Sequence, residues 1–286
     1  MIKIDTDKCN LCGLCIKICH ESCLYTENEI LQVNYKYCST CAQCIAVCPQ
    51  QAVRWNDYEP EPFNNSQYPE SAQVEELLRE RRTVRDYTNR KIERSILNEI
   101  TGMAVYAPTH NFSLRAVIID DDELIDMIDR MLYDFSLKIY KWLYKPKLIH
   151  ILIKIFAPKS EFEYLKAKPK LEKIKARDHG FKTTPAAVIL IIGDKHVPLS
   201  LESAQYALYN IDLYAQTKGL ACRNLVGNQM ILNRNNNFKR RTGITKNEKI
   251  FGTITIGYPA VRFKNKVNGK NIDIQWNTSQ AKESVR

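Results

Sequence analysis

Apolar residues recur along this chain in two rhythms, one helical and one extended. Helical spacing over 70–81 places Val74, Leu77 and Leu78 on one side, and over 92–106 it gathers Leu97, Ile100, Ala104 and Tyr106. Similar patterns predict helices over 122–145, 199–218 and 228–242. Short runs rich in Val and Ile, bounded by turn residues, predict strands at 114–119 (LRAVII), 186–192 (AAVILII), 221–226 and 250–257 (IFGTITIG). Helices between short apolar strands point to α+β or α/β layering.

Neither rhythm is present over 55–70. WNDYEPEPFNNSQYPE has three prolines and no apolar period, which suits a linker. The division expected is therefore a small unit at 1–56, a linker at 57–70 and a larger domain at 71–286, long enough for a sizeable core. No run of 18 apolar residues appears, so no spanning helix is expected. The N-terminus MIKIDTDKC has no apolar core of the signal-peptide kind, which predicts a cytoplasmic protein with reduced thiols.

Cysteine usage changes the picture most. The chain has 10 cysteines, and all but Cys222 lie between Cys9 and Cys48. Cys9, Cys12, Cys15 and Cys19 read C-x2-C-x2-C-x3-C; Cys38, Cys41, Cys44 and Cys48 repeat it, with Pro49 following. This is the two-cluster bacterial ferredoxin pattern, in which a tight loop wraps three thiolates around one [4Fe–4S] cube and the fourth cysteine serves the other cluster. Cys9, Cys12, Cys15 and Cys48 are thus assigned to one cluster, and Cys38, Cys41, Cys44 and Cys19 to the other. Structural zinc sites commonly use two separated CxxC pairs and fit these runs poorly. The repeat sets Cys23 opposite Ala52 and Leu24 opposite Val53, which gives Cys23 a packing role as a small hydrophobe. His20, where a proline would be expected, reads as a loop residue.

The larger domain's chemistry begins at ERRTVRDY (80–87). In an extended segment Arg81, Thr83 and Arg85 share a face, which suits a phosphate monoester; a solvated basic face would give the same pattern. ERRTVRDY also resembles the RRSxR[KD]F start of the flavin-dependent nitroreductase family. Later segments resemble it in the same order: APTHNFSLRAVII (107–119), GLACRNLVGN (219–228), ITIGYPA (254–260) and a final Trp276. A ferredoxin module ahead of such a domain is a known arrangement in that family.

The resemblance implies an α+β fold with a central mixed sheet and flanking helices, FMN, a homodimer with the flavin at its interface, and reduction of small electron-poor substrates. Carried over by position, Arg81, Thr83 and Arg85 would hold the FMN phosphate and ribityl chain. Asn111 would touch the isoalloxazine ring, and Val226 and Gly227 would present backbone groups near its N5 and O4 edge. Three departures stand out. The family's Gln-Pro-Trp after Asn is here Ser113-Leu114-Arg115. Its late phosphate arginine aligns with Gly269-Lys270, leaving Lys264, Lys266 or Lys270 as replacements. Residues 125–180 are long, basic and aromatic; within them 139–162 reads as a cap over the flavin or an arm around the dimer partner, broken into short helices by Pro146 and Pro158. His150, His179 and Cys222 read as structural.

The formal net charge of +10 falls to about +4 once two clusters and an FMN phosphate are counted, which gives nucleic-acid binding thin support. The surplus suits an acidic, low-potential electron donor such as ferredoxin. No G-x-G-x-x-G fingerprint is present, although nitroreductases that use NAD(P)H bind it in the flavin pocket. The reading is an iron–sulfur flavoprotein oxidoreductase acting on a nitro compound or quinone. Its rivals are a non-enzymatic electron carrier or redox sensor, or another flavin reaction such as dehalogenation, dehydrogenation or flavin fragmentation.

Overall fold

A computed structural model describes residues 1–108, 113–225, 227–268 and 271–276, without the side chains of 147 and 158–163. Asn111, Val226, Gly269 and Lys270, all singled out above, lie outside the described residues.

The N-terminal unit is built as two crossed halves. Strand β1 (Ile2–Ile4) pairs antiparallel with β4 (Val53–Trp55), and β2 (Leu24–Glu27) with β3 (Ile30–Val33). Short helices α1 (Leu14–Ile18) and α2 (Gln43–Ala46) carry Cys15 and Cys44 into a shared apolar cluster with Ile2, Leu24, Leu31 and Val53. The 29-residue sequence offset recurs in the backbone. Asp5 N–H donates to Ala52 O at 2.7 Å, and its equivalent Asn34 N–H donates to Cys23 O at 2.7 Å. Cys19 and Cys48 likewise close matching turns onto Ile16 O and Ile45 O. Left-handed residues also pair across the repeat: Leu11 with Thr40, Gly13 with Ala42, Ser22 with Gln51. Glycine takes that conformation freely and alanine does not, so Ala42 (φ +63°) holds the loop shape against local strain.

Helix α3 (Ser71–Glu80) follows the proline-rich stretch, opened by a reciprocal cap between Glu70 and Gln73. Beyond it lies one four-stranded sheet, ordered β5 (Arg115–Ile119), β6 (Ala187–Asp194), β8 (Glu248–Gly257), β7 (Ala221–Asn224). All its described pairings are antiparallel. Both faces of the two central strands are covered, which is why they read as unbroken apolar runs. On one face α4 (Arg94–Gly102) and α8 (Ser200–Thr217) pack Leu97, Ile100, Leu208 and Ile211 against Ile189, Ile191, Ile254 and Ile256. On the other, α5 (Asp122–Ile139) sets Ile125, Ile128 and Leu132 against Val188, Leu190 and Ile192, beside Leu232 and Phe238. The α+β class holds, with flanking helices as expected, but the sheet is antiparallel in all its described pairings rather than mixed.

Two helical expectations change in detail. The 228–242 helix is split into α9 (Asn228–Arg234) and α10 (Asn236–Arg241), because the Asn235 side chain accepts from Phe238 N–H at 2.9 Å and starts a new helix. The basic aromatic stretch forms α6 (Lys147–Phe156) and α7 (Pro158–Arg177), the second of 20 residues rather than short. Pro158 stands in the first turn of α7, where its missing N–H costs nothing, so it opens a helix instead of merely ending one. Among the described residues no helix is long and apolar enough to cross a membrane.

A bidentate pair ties the β5 edge to the start of β8: Arg115 Nε and Nη2 donate to the two Glu248 oxygens at 2.6 and 3.0 Å. With help from Thr245 N–H, Arg115 holds the Glu248 carboxyl down at about 2. The ionised form is favoured by folding, so the gain is complete above the ordinary carboxylate value and is lost as pH falls towards 2. Glu248→Gln is expected to lose roughly 1 kcal/mol at pH 7, since the pair is part-exposed. The deficit should shrink between about pH 4.5 and 2. Denaturant titrations of both proteins across that range check this; parallel pH profiles would count against the pair.

Candidate redox sites

The eight run cysteines divide between two cavities. One is lined by Cys9, Cys12 and Cys15 together with Cys48 from the second run. The other is lined by Cys38, Cys41 and Cys44 together with Cys19 from the first, and by Cys23. The fourth cysteine of each run thus leaves its own loop at the end of a short helix and faces the other cavity. Cys12 and Cys41 are exposed at the rims, while Cys15 and Cys44 are buried. Among the described residues no three His, Cys, Asp or Glu side chains gather tightly enough for a single ion. Each set of four surrounds a space instead.

The thiol chemistry suits a cationic occupant. Burial, then the neighbouring Cys41, pushes Cys44 up to about 11, and burial also raises Cys15. Thiols of this kind ionise only with positive charge beside them, and metal ligation supplies it. Cys19 differs. Burial works against its ionisation, but the N–H and thiol of Cys23 and the N–H groups of Leu24 and Glu21 outweigh it and hold Cys19 below its usual value. The residues present fit two cubane clusters.

In the larger domain the segment after α3 runs extended along the sheet. Val84 N–H donates to Cys222 O at 3.1 Å and Thr88 N–H to Tyr258 O at 2.9 Å, while Asp86 O accepts from Ala260 N–H at 2.9 Å. Val84 and Tyr87 turn inward and are buried; Thr83 and Arg85 turn outward and are exposed. Tyr87 lies so close over Gly257 that a Cβ there would sit 2.7 Å from its ring, which explains the glycine in ITIGYPA. Arg81 is half-buried, and one of its nitrogens reaches the buried Asp212 carboxylate on α8 at 3.3 Å. Burial raises the Asp212 carboxyl, Arg81 opposes the rise, and the buried Cys222 thiol also touches it. Arg81 therefore serves the fold as well as presenting a fork.

This arrangement is that of a described family. The Nitroreductase family matches residues 78–258, well over half of the chain. The chain belongs to the nitroreductase family. Solved structures agree on the fold. A nitroreductase with bound FMN from Bacteroides fragilis is 16% identical, covering 71% of this chain and 99% of its own, with a TM-score of 0.50. An FMN-bound nitroreductase from Desulfitobacterium hafniense is 15% identical over 71% of this chain and 98% of its own, TM-score 0.52. Iodotyrosine deiodinase, bound to FMN and 3-iodo-L-tyrosine, is 18% identical over 72% and 99%, TM-score 0.51. No curated protein matches the chain.

Within the nitroreductase domain the structure adds residues that the motifs did not single out. Arg223 on β7 is held low by burial and then by Arg85 and Arg177, both of its own charge. Three guanidiniums thus share one region, an environment that favours an anion. Around Gly227, which adopts φ +94°, the buried side-chain atoms Asn224 Oδ1 and Asn228 Nδ2 have no hydrogen-bond partner among the described residues. An orphan acceptor and an orphan donor so close in the chain fit a polar ring edge. Arg223, Asn224 and Asn228 stood inside the GLACRNLVGN segment, but their side-chain directions depend on strand pairing. Of the candidate late lysines, Lys266 is paired with Glu76 on α3, and Lys264 is exposed.

Arg81→Ala would leave Asp212 buried beside no cation. A carboxyl raised in the folded state binds its proton more tightly there, so folding becomes less favourable as pH rises through the carboxylate range. The substitution is expected to cost about 2 kcal/mol at pH 8 and clearly less at pH 5. Asp212→Asn in the same chain should remove the pH dependence of that loss. Urea titrations at the two pH values check both; equal losses would show that Asp212 is not the partner that matters.

Proposed function

We propose that the chain is an iron–sulfur flavoprotein oxidoreductase of the cytoplasm, working as a homodimer. Two [4Fe–4S] clusters would bring single electrons, and FMN would supply the two-electron reduction of a small electron-poor substrate such as a nitro compound or a quinone. One observation carries the reading: each cavity of the N-terminal unit collects four cysteines drawn from both runs, on a chain whose remainder is a nitroreductase domain.

The chain's own residues have distinct tasks. Cys9, Cys12, Cys15 and Cys48 would ligate one cluster, and Cys38, Cys41, Cys44 and Cys19 the other. Arg85, backed by Arg223 and the remaining nitrogens of Arg81, would neutralise the FMN phosphate and Thr83 would hydrogen-bond to it, with Lys264 or Lys270 closing over it. Asn111, Asn224, Asn228 and the backbone at Val226 and Gly227 would orient the ring by hydrogen bonds. A low-potential one-electron donor such as ferredoxin suits two clusters, and NAD(P)H would need only the ring pocket.

Anaerobically purified full-length chain is expected to hold about eight irons, four per cluster, and one FMN. Cys12→Ala with Cys41→Ala should abolish reduction of the flavin by reduced ferredoxin while dithionite still bleaches it. Thr83→Ala with Arg85→Ala should reduce FMN affinity at least tenfold and leave the iron content unchanged. A chain stripped of iron that turned over normally with ferredoxin would sink the electron-entry role.

A further inference from the structure

The two halves of the N-terminal unit repeat at a 29-residue offset, and one of their differences sets a thiol against a ligand cysteine. Ala52 N–H donates to Cys48 Sγ at 3.3 Å. The equivalent residue in the other half, at the same 29-residue offset, is Cys23. Cys23 adds a thiol that Ala52 lacks, and its Sγ lies 3.3 Å from Cys19 Sγ. It is 3% exposed and lines the same cavity as Cys38, Cys41, Cys44 and Cys19. With Cys19 bound to iron as a thiolate, the only proton between the two sulfurs belongs to Cys23. The contact is then an S–H donor aimed at a ligand sulfur, and the cluster served by Cys48 has no counterpart.

Hydrogen bonds to cluster sulfurs favour the more negative, reduced state, because electron density on the ligands rises when an electron arrives. Reduction takes one electron, from +2 to +1, with no bond made or broken and no proton lost from Cys23. We propose that Cys23 is a positioning residue that donates its S–H to Cys19 and holds the Cys38, Cys41, Cys44, Cys19 cluster at a higher potential than the Cys9, Cys12, Cys15, Cys48 cluster. An otherwise symmetric pair would thereby acquire a preferred resting place for the electron. This rests on the two-cluster reading above.

The test is a redox titration of the anaerobically purified full chain, followed by electron paramagnetic resonance and accompanied by iron quantitation. Two one-electron waves are expected. Cys23→Ala should lower the upper wave and leave the lower one in place, with iron content unchanged. The ratio of reduced to oxidised cluster at fixed potential should fall about fivefold, as for one net hydrogen bond; that is about 40 mV at 59 mV per decade. Cys23→Ser keeps a donor and should hold the upper wave near its original place. Ala52→Cys gives the other cluster the same donor and should raise the lower wave. Two waves unmoved by Cys23→Ala would overturn the inference, and loss of about four irons would make Cys23 a ligand instead. Wild-type chain without iron would overturn the two-cluster reading itself.

Discussion

The N-terminal unit depends on a crossing. Each half supplies a three-cysteine loop and then a short helix that carries its fourth cysteine away from that loop. The strand pairs β1–β4 and β2–β3, and the reciprocal hydrogen bonds of Asp5 with Ala52 and Asn34 with Cys23, bring each fourth cysteine to the other half's cavity. Neither set of four is complete until both halves have folded. The apolar cluster is shared in the same way, with Ile2 and Leu31 packed against Leu24 and Val53. A small unit with so little apolar area has limited stability of its own. Ligand bonds that cross between halves would supply what the core lacks.

The nitroreductase domain solves a different problem, that of holding flexible cationic side chains in place. The central strands of its sheet are covered on both faces, and the 84–88 segment is stitched to β7 through Cys222 and to the residue after β8, Tyr258. Tyr87 anchors that segment over Gly257, with its hydroxyl 3.0 Å from Thr255 Oγ1 inside the core. Thr83 and Arg85 therefore project from a rigid support, which is what a precise anion site requires. Asp212 fixes Arg81 from beneath. The like-charged neighbours of Arg223 raise the cost of its burial, and an anion would relieve it.

Much of this architecture is legible in the chain's own patterning. The strands at 114–119, 186–192, 221–226 and 250–257 all appear within a few residues; the central two are legible because unbroken apolar runs suit strands buried on both faces. The failures have physical causes. Asn235 interrupts a periodic helix because a side-chain cap competes with the helical backbone. Pro158 begins α7 because a proline at a helix start loses no hydrogen bond. Asp212 gives no local signal, since its partner Arg81 is 131 residues away.

By itself, the sequence determined the spacing of eight thiols, the 29-residue equivalence between the halves, the alternation that turns Thr83 and Arg85 to one side, and the order of the nitroreductase segments. Those are properties of neighbours along the chain, set by backbone period and side-chain type. Only the tertiary structure decided that the Cys23 thiol touches Cys19, that Arg223 lies near Arg85 and Arg177, and that Asn224 and Asn228 have polar atoms without partners among the described residues. Those depend on which strands pair and which way a buried side chain points. Distances through space between remote residues are not written in any local pattern.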